Sequence, residues 1–178
     1  LHRNTHIIST ATERTSKVIF ALKKFSHFDS DAEKIKMKVT EGIETVLTLY
    51  YNQIKHGVEV VRNYNPVPEI MCYPDELNQV WINIIQNALY AMEYKGILVI
   101  DVCVEGKYIV VTIADSGKGI PRKIIKKIFE PFFTTKGRGE GSGLGLDIVK
   151  KIIDKHNGKI EVESEPGNTI FSIFLPLE

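Results

Sequence analysis

Between residues 139 and 145 every second residue is glycine: Gly139, Gly141, Gly143 and Gly145, spaced by Glu140, Ser142 and Leu144. Alternating glycines carry too much backbone freedom to form a helix or strand interior. Yet the run enters an apolar-periodic segment, 144–156, with no polar spacer, so a flexible linker is a poor reading. A glycine loop opening a helix places free N–H groups and a positive dipole end where an anion can sit. Directly before it, Phe129, Phe132 and Phe133 stand among Pro131, Thr134, Thr135, Lys136 and Arg138. Core sequence would not run into so flexible a tail. A lid would, with aromatic latches for a closed state and cations for phosphate.

Two further clusters precede this one. Asn83 and Asn87 lie four apart, so a helix puts them on one face, at the edge of the apolar arc of 74–93. An amide oxygen suits a hard cation such as Mg²⁺, which retains waters and shares phosphate oxygens. Asparagine is a poor mid-helix residue; the alternative is a pair of solvated amides. Asp115 ends a β-rich run and precedes Gly117 and Gly119, where the backbone must turn tightly. A carboxylate there can accept from an exocyclic amine such as that of adenine, although Asp-Ser-Gly alone is an ordinary turn. No Gly-x-x-x-x-Gly-Lys-Ser/Thr loop occurs anywhere.

Hydrophobic content of 43% and charged content of 25% are those of a globular protein, and 178 residues suit one domain or a domain with an appendage. A net charge of +1 leaves no footprint for nucleic acid or an anionic membrane. The two cysteines, Cys72 and Cys103, have neither metal-ligand nor redox spacing, which points to reduced thiols and a cytoplasmic setting. The run Ile97 to Val104, interrupted by Asp101, is too short to span a bilayer. No secretory signal is visible, and a start at Leu1 reads as an excised piece whose parent could be membrane-anchored.

Residues 1 to about 28 are expected to form one long helix, with Ile8, Ala11, Thr15, Val18, Leu22 and Phe25 on a heptad seam that wants a helical partner. Asp29-Ser30-Asp31 breaks it. From Ile35 short strands and helices interleave. Ile35, Met37 and Val39 alternate as a strand; Thr40 is expected to cap a helix over 41–55, with Gly57 at its end. Strands are expected over 58–64 and 69–73. A helix over 74–93 has Pro74 in its first turn, Asp75 and Glu76 favoured there by the dipole, and Leu77, Val80, Trp81, Ile84, Ile85, Ala88, Leu89 and Met92 on its apolar arc. A hairpin follows over 97–104 and 108–114, then the glycine-rich stretch 115–143, a helix over 144–156, and strands over 160–164 and 169–175. Interleaved helices and hairpins predict an α/β fold, a two-layer sandwich.

In order and wording the clusters resemble the catalytic, ATP-binding domain of sensor histidine kinases, the Bergerat-type ATPase fold. Asn-Ile-Ile-Gln-Asn-Ala is similar to the family's asparagine box and Asp-Ser-Gly-Lys-Gly-Ile to its first glycine box. Phe-Glu-Pro-Phe-Phe-Thr-Thr-Lys is similar to its phenylalanine box and Gly-Ser-Gly-Leu-Gly-Leu to its second glycine box. Gly167-Asn168-Thr169-Ile170-Phe171 with Leu175-Pro176 resembles its closing hairpin. The likeness covers roughly 35–177, within an expected ATP-binding domain of 35–178, and residues 1–30 resemble the second helix of the dimerisation and phosphotransfer bundle. It implies a mixed sheet with helices on one face, ATP and Mg²⁺ as ligands, a response regulator as partner and a homodimer through the bundle. It further implies that Asn87 holds the Mg²⁺ and Asn83 assists at the phosphates. Asp115 would read the adenine amine, with Gly117, Gly119 and Ile120 lining the base and Tyr90 bordering the nucleotide. Backbone at Gly141, Gly143, Leu144 and Gly145 would hold the phosphates, with Lys136 and Arg138 at the terminal one.

Hydrolytic members of the same fold carry a glutamate four residues before the metal-binding asparagine. Here that position is Asn83, and an amide is no general base, so the resemblance implies phosphoryl transfer to a histidine rather than brisk hydrolysis. A Bergerat-fold ATPase and a degenerate nucleotide-gated scaffold are the alternatives. The family's acceptor histidine is followed by an acidic residue and then a proline. His2, His6, His27, His56 and His156 all lack that pattern, so the acceptor is expected upstream of Leu1.

Overall fold

The computed structural model describes residues 33–137 and 141–178; the expected long N-terminal helix lies outside them. The described chain opens with strand β1 (Ile35–Met37) and helix α1 (Val39–Leu49). Val39 is not the third residue of the strand. It heads the helix and is fully buried, because period-two alternation over so few residues cannot separate a strand from a helix entry. Lys38 is the N-cap residue and makes no side-chain cap, so Thr40 lies within the first turn instead of capping it. The helix expected to reach Lys55 breaks at Tyr50, and a single turn, α2 (Tyr51–Ile54), follows. Thr45 and Thr48 donate their hydroxyls back to the carbonyls of Glu41 and Glu44, at 2.8 and 2.9 Å, a bond pattern that bends helices.

Strands β2 (Val58–Tyr64) and β3 (Ile70–Cys72) come next, then the long helix α3 (Pro74–Ala91). The hairpin β4 (Gly96–Glu105) and β5 (Tyr108–Asp115), helix α4 (Gly145–Lys155), and strands β6 (Lys159–Glu165) and β7 (Asn168–Pro176) complete the chain. The described residues form a five-stranded sheet in the order β2-β4-β5-β7-β6 and a separate pair β1-β3. β2 runs parallel to β4 and the other neighbours are antiparallel, so the sheet is mixed, as the resemblance implied.

One face of the sheet is the core face. Register aligns Ile100 with Ile113 and Ile113 with Phe171, and on the next rung Val102 with Val111 and Val111 with Ile173; all six are buried. Over them lie Val39, Ile43, Val46 and Leu47 of α1, the apolar arc of α3 and Val149, Ile152 and Ile153 of α4. All eight residues expected on that arc, Met92 included, are buried. Residues of opposite parity on β4, such as Val99, Asp101 and Cys103, keep partial exposure, the mark of a two-layer sandwich with helices on one side. α1 is tied to edge strand β2 by Glu44, which accepts from Arg62 Nε at 2.9 Å and the Tyr64 hydroxyl at 2.7 Å. Among the described residues no helix is long and apolar enough to cross a membrane.

Candidate nucleotide site

Helix α3 works as a ruler. Asn83, Asn87 and Ala91 recur every four residues on one face, spanning about 12 Å of axis at 1.5 Å per residue, and each meets a different loop. At Asn83 the partner is the start of α4: a Cβ on Gly145 would lie 3.2 Å from Asn83 Oδ1. The same side chain buries its Nδ2 with no hydrogen-bond partner in the protein. A buried donor beside a helix N-terminus calls for an acceptor-rich ligand.

Lys136 meets Asn87: its Nζ donates to Asn87 Oδ1 at 3.1 Å. The same ammonium stands 4.2 Å from the ring centroid of Tyr90, and Lys118 Nζ approaches that ring at 5.6 Å. Tyr90, Glu93, Tyr94 and Lys118 line a hollow of about 220 Å³ beside the 115–119 loop. Glu93 and Tyr94 both have positive φ, 51° and 60°, a conformation that costs non-glycine residues energy and that recurs at ligand clamps.

Past Ala91 the contact is with the loop after β5. Lys118 N–H donates to the Ala91 carbonyl at 3.2 Å, and a Cβ on Gly117 would lie 2.8 Å from that of Ala91; only glycine fits. Asp115 is 4% exposed, with Oδ1 accepting from Gly117 N–H at 2.9 Å. Burial raises its carboxyl to about 6, against the lowering effect of that one N–H. One charge-assisted bond does not offset the loss of water, so the carboxylate is held ready for a further donor. Gly119, at φ +78°, packs against the Glu165 carbonyl, 2.5 Å from where a Cβ would sit. Ile120, half-buried, packs against the core and its N–H donates to Ser164 Oγ at 2.7 Å.

Residues 132–136 fold back on Gly141 and Gly143. A Cβ on Gly141 would meet Thr134 Oγ1 at 2.9 Å and Lys136 Cδ at 3.1 Å, while Gly143, at φ +70°, packs against the Phe132 carbonyl. Phe129 and Phe133 pack against the core, whereas Phe132 is 74% exposed. Leu144, the N-cap residue of α4, donates its N–H to Ser142 Oγ at 3.3 Å. Arg138 lies outside the described residues.

The structure therefore brings Asn83, Asn87, Tyr90, Asp115, Gly117, Lys136 and Gly145 along one helix face. Sequence reasoning missed Thr169 and Ser164, which share a rung with Asp115. Thr169 is 3% exposed and its Oγ1 lies 2.9 Å from Ser164 Oγ. The available signal was a threonine in the inward register of Phe171, Ile173 and Leu175. Lys118, placed on the Tyr90 ring, was missed too.

The residues fit the implied ligands. Among the described residues no group of three His, Cys, Asp or Glu side chains could hold a metal, but Asn87 Oδ1 already attracts a cation. A single amide oxygen is a Mg²⁺ ligand when phosphate oxygens and waters complete the shell.

Sheet order, helix layer and motif order together define a Bergerat-type ATPase domain. Residues 72–178 match the model of the histidine kinase-, DNA gyrase B-, and HSP90-like ATPase family, and the chain belongs to that family. It is 32% identical over 186 residues to the sensory histidine kinase/phosphatase NtrB of Proteus hauseri, an alignment covering 98% of this chain and 52% of the relative. The chain spans about half the length of the curated NtrB relatives it matches. Among solved structures, the catalytic domain of histidine kinase ThkA superimposes with a TM-score of 0.74 at 32% identity, over 82% of this chain and 96% of that one. ThkA in complex with the response regulator protein TrrA gives 0.76 at 26% identity, over 94% and 49%.

Proposed function

We propose that this chain is the ATP-binding catalytic part of a two-component sensor histidine kinase. One observation carries the reading: Asn83, Asn87 and the Asp115–Gly117 loop are strung along a single face of α3, with the N-terminus of α4 at one end and a buried carboxylate at the other. Asp115, raised in pKa by burial and holding only one N–H, accepts the adenine amine. Gly117 and Gly119 let the base approach the backbone, Ile120 flanks it and Tyr90 borders the sugar and phosphates.

At the other end, backbone N–H groups around Gly141, Gly143, Leu144 and Gly145, the Asn83 amide and the Lys136 and Arg138 cations neutralise the triphosphate. Asn87 holds Mg²⁺, which supplies charge neutralisation at the phosphoryl oxygens. The chain's own contribution is positioning plus electrostatics, as in phosphoryl transfer generally. Asn83 cannot take a proton from water, so the γ-phosphoryl is kept for a histidine nitrogen attacking in line. That histidine is supplied by the parent's helical bundle, which pairs two subunits. The phosphoryl then passes to a response regulator receiver domain, in the cytoplasm where ATP is available. A structure of ThkA with TrrA supports a partner of that class.

The test is phosphate transfer from γ-labelled ATP to the full-length parent, with analysis of product lability. A phosphohistidine, acid-labile and base-stable, is expected, and the 178-residue chain alone should bind ATP·Mg²⁺ while turning it over slowly. Brisk multiple-turnover hydrolysis by the chain would favour the ATPase clamp instead, and an alkali-labile ester would redirect the acceptor.

A further inference from the structure

Lys136 sits where a metal-binding residue needs its oxygen free. Its Nζ donates to Asn87 Oδ1 at 3.1 Å, and it is held there from a second side by the Tyr90 ring at 4.2 Å. Tyr90 is three residues beyond Asn87 on α3, so ring and amide share one face, and a ring centroid within about 6 Å attracts an ammonium. A Mg²⁺ ion would stand about 2.1 Å from the same amide oxygen. The oxygen has a second lone pair, but metal and ammonium on one atom would bring like charges within about 4–5 Å of each other, where they repel.

We propose that Lys136 is a built-in counter-cation for Asn87: before metal enters, its ammonium, shelved on Tyr90, holds the metal-binding oxygen, and metal entry displaces it toward the terminal phosphate. The inference rests on the nucleotide-site reading above and deepens it. Tyr90 is then a positioning residue, acting through Lys136. The lid is also anchored by this contact. Lys136 belongs to the segment whose Thr134 and side-chain carbons pack around Gly141, so displacing the ammonium loosens one of the lid's ties to α3 as the phosphates arrive. In the absence of metal the lysine itself neutralises ATP, so the wild-type chain should depend only weakly on Mg²⁺ for nucleotide affinity. Removing the ammonium should make that dependence steep.

The experiment titrates the 178-residue chain with a fluorescent, non-hydrolysable ATP analogue, with Mg²⁺ and with chelator, and takes the ratio of the two dissociation constants as the coupling between metal and nucleotide. Lys136→Met and Lys136→Gln are each expected to raise that ratio by about tenfold or more over wild type. Tyr90→Phe, which keeps the ring face, should leave it at the wild-type value, and Tyr90→Leu should move it toward that of Lys136→Met. A mere packing role for Tyr90 would weaken both dissociation constants alike in the Leu variant and leave their ratio at the wild-type value. An unchanged ratio in both lysine variants, with the analogue still bound, overturns the counter-cation while leaving the nucleotide site standing. Failure of the wild-type chain to bind the analogue at all overturns both.

Discussion

His156 Nε2 accepts the backbone N–H of Tyr73 at 3.1 Å, joining the C-terminal end of α4 to the residue that caps the start of α3. The imidazole's other nitrogen, Nδ1, donates to the Ile152 carbonyl at 2.8 Å, so the tautomer is set from both sides. The two helices that meet at Asn83 and Gly145 are thereby pinned at the opposite end. Lys155, whose Nζ lies 2.6 Å from Glu76 Oε1, adds a second tie beside it.

His156→Ala should destabilise the fold by about 1–3 kcal/mol, because the Tyr73 N–H is left buried without an acceptor; urea denaturation measures it. Burial depresses the imidazole pKa below 6.5, with Lys34 and Lys155 adding to that and the Ile152 carbonyl and Glu76 opposing it. A depressed native pKa means full stabilisation above 6.5, lost as pH falls through the native value. Stability of the wild type minus that of the variant should therefore shrink on acidification below pH 6.5. A constant difference would show that the neutral ring is not what the site needs.

Asp115→Asn separates stability from binding. The carboxyl is raised from 3.8 to about 6, so its contribution to stability is fully present below 3.8 and lost as pH rises through 6. At pH 7.5 the neutral amide, which carries no buried charge, should raise the urea midpoint above that of the wild type. The same variant should bind an ATP analogue about tenfold or more weakly, since an acceptor-only carboxylate is replaced by a group that also donates. Wild-type affinity should itself fall below pH 6 as Asp115 protonates. Denaturation and binding titrations over pH 5–8 check both halves.

Gly143→Ala tests the lid geometry. At φ +70° and with the Phe132 carbonyl against the Cβ position, alanine is both strained and crowded, a cost of at least about 1–2 kcal/mol. A loop outside the core sheds that cost by leaving this conformation, so the urea midpoint should hold while nucleotide affinity drops about tenfold. A shifted midpoint with unchanged affinity would place the role of Gly143 in folding instead.

Asn83→Ala should leave stability unchanged or slightly raised, because it removes a buried donor that has no partner in the protein. Affinity for the ATP analogue should fall about tenfold, the amide being a phosphate donor in the bound state. Equal affinities in the two proteins would remove Asn83 from the site.

Much of this was written in local sequence. Strand 58–64 and the 97–104/108–114 hairpin follow from β-rich runs and their turns, and α3 from Pro74, two acids and a broad apolar arc. The four motif clusters were legible because glycines, amides and aromatics in such dense order have few structural uses. The entry to α1 was misread, since three alternating residues fit a strand and a helix start equally, and nothing in the local pattern marks the break at Tyr50. Thr169 was read only as part of the closing hairpin, because its place beside Asp115 lies in a rung shared with a residue fifty-four positions earlier.

Short-range pattern thus settled most of the helices and strands, because propensity, period and turn chemistry act over a few neighbours. Folding in three dimensions settled the order β2-β4-β5-β7-β6, the burial that raises Asp115, the Lys136–Asn87 contact across 49 residues and the His156–Tyr73 pin across 83. Those are matters of distance and desolvation between remote parts of the chain, and neither quantity exists until the sheet and its helices have packed.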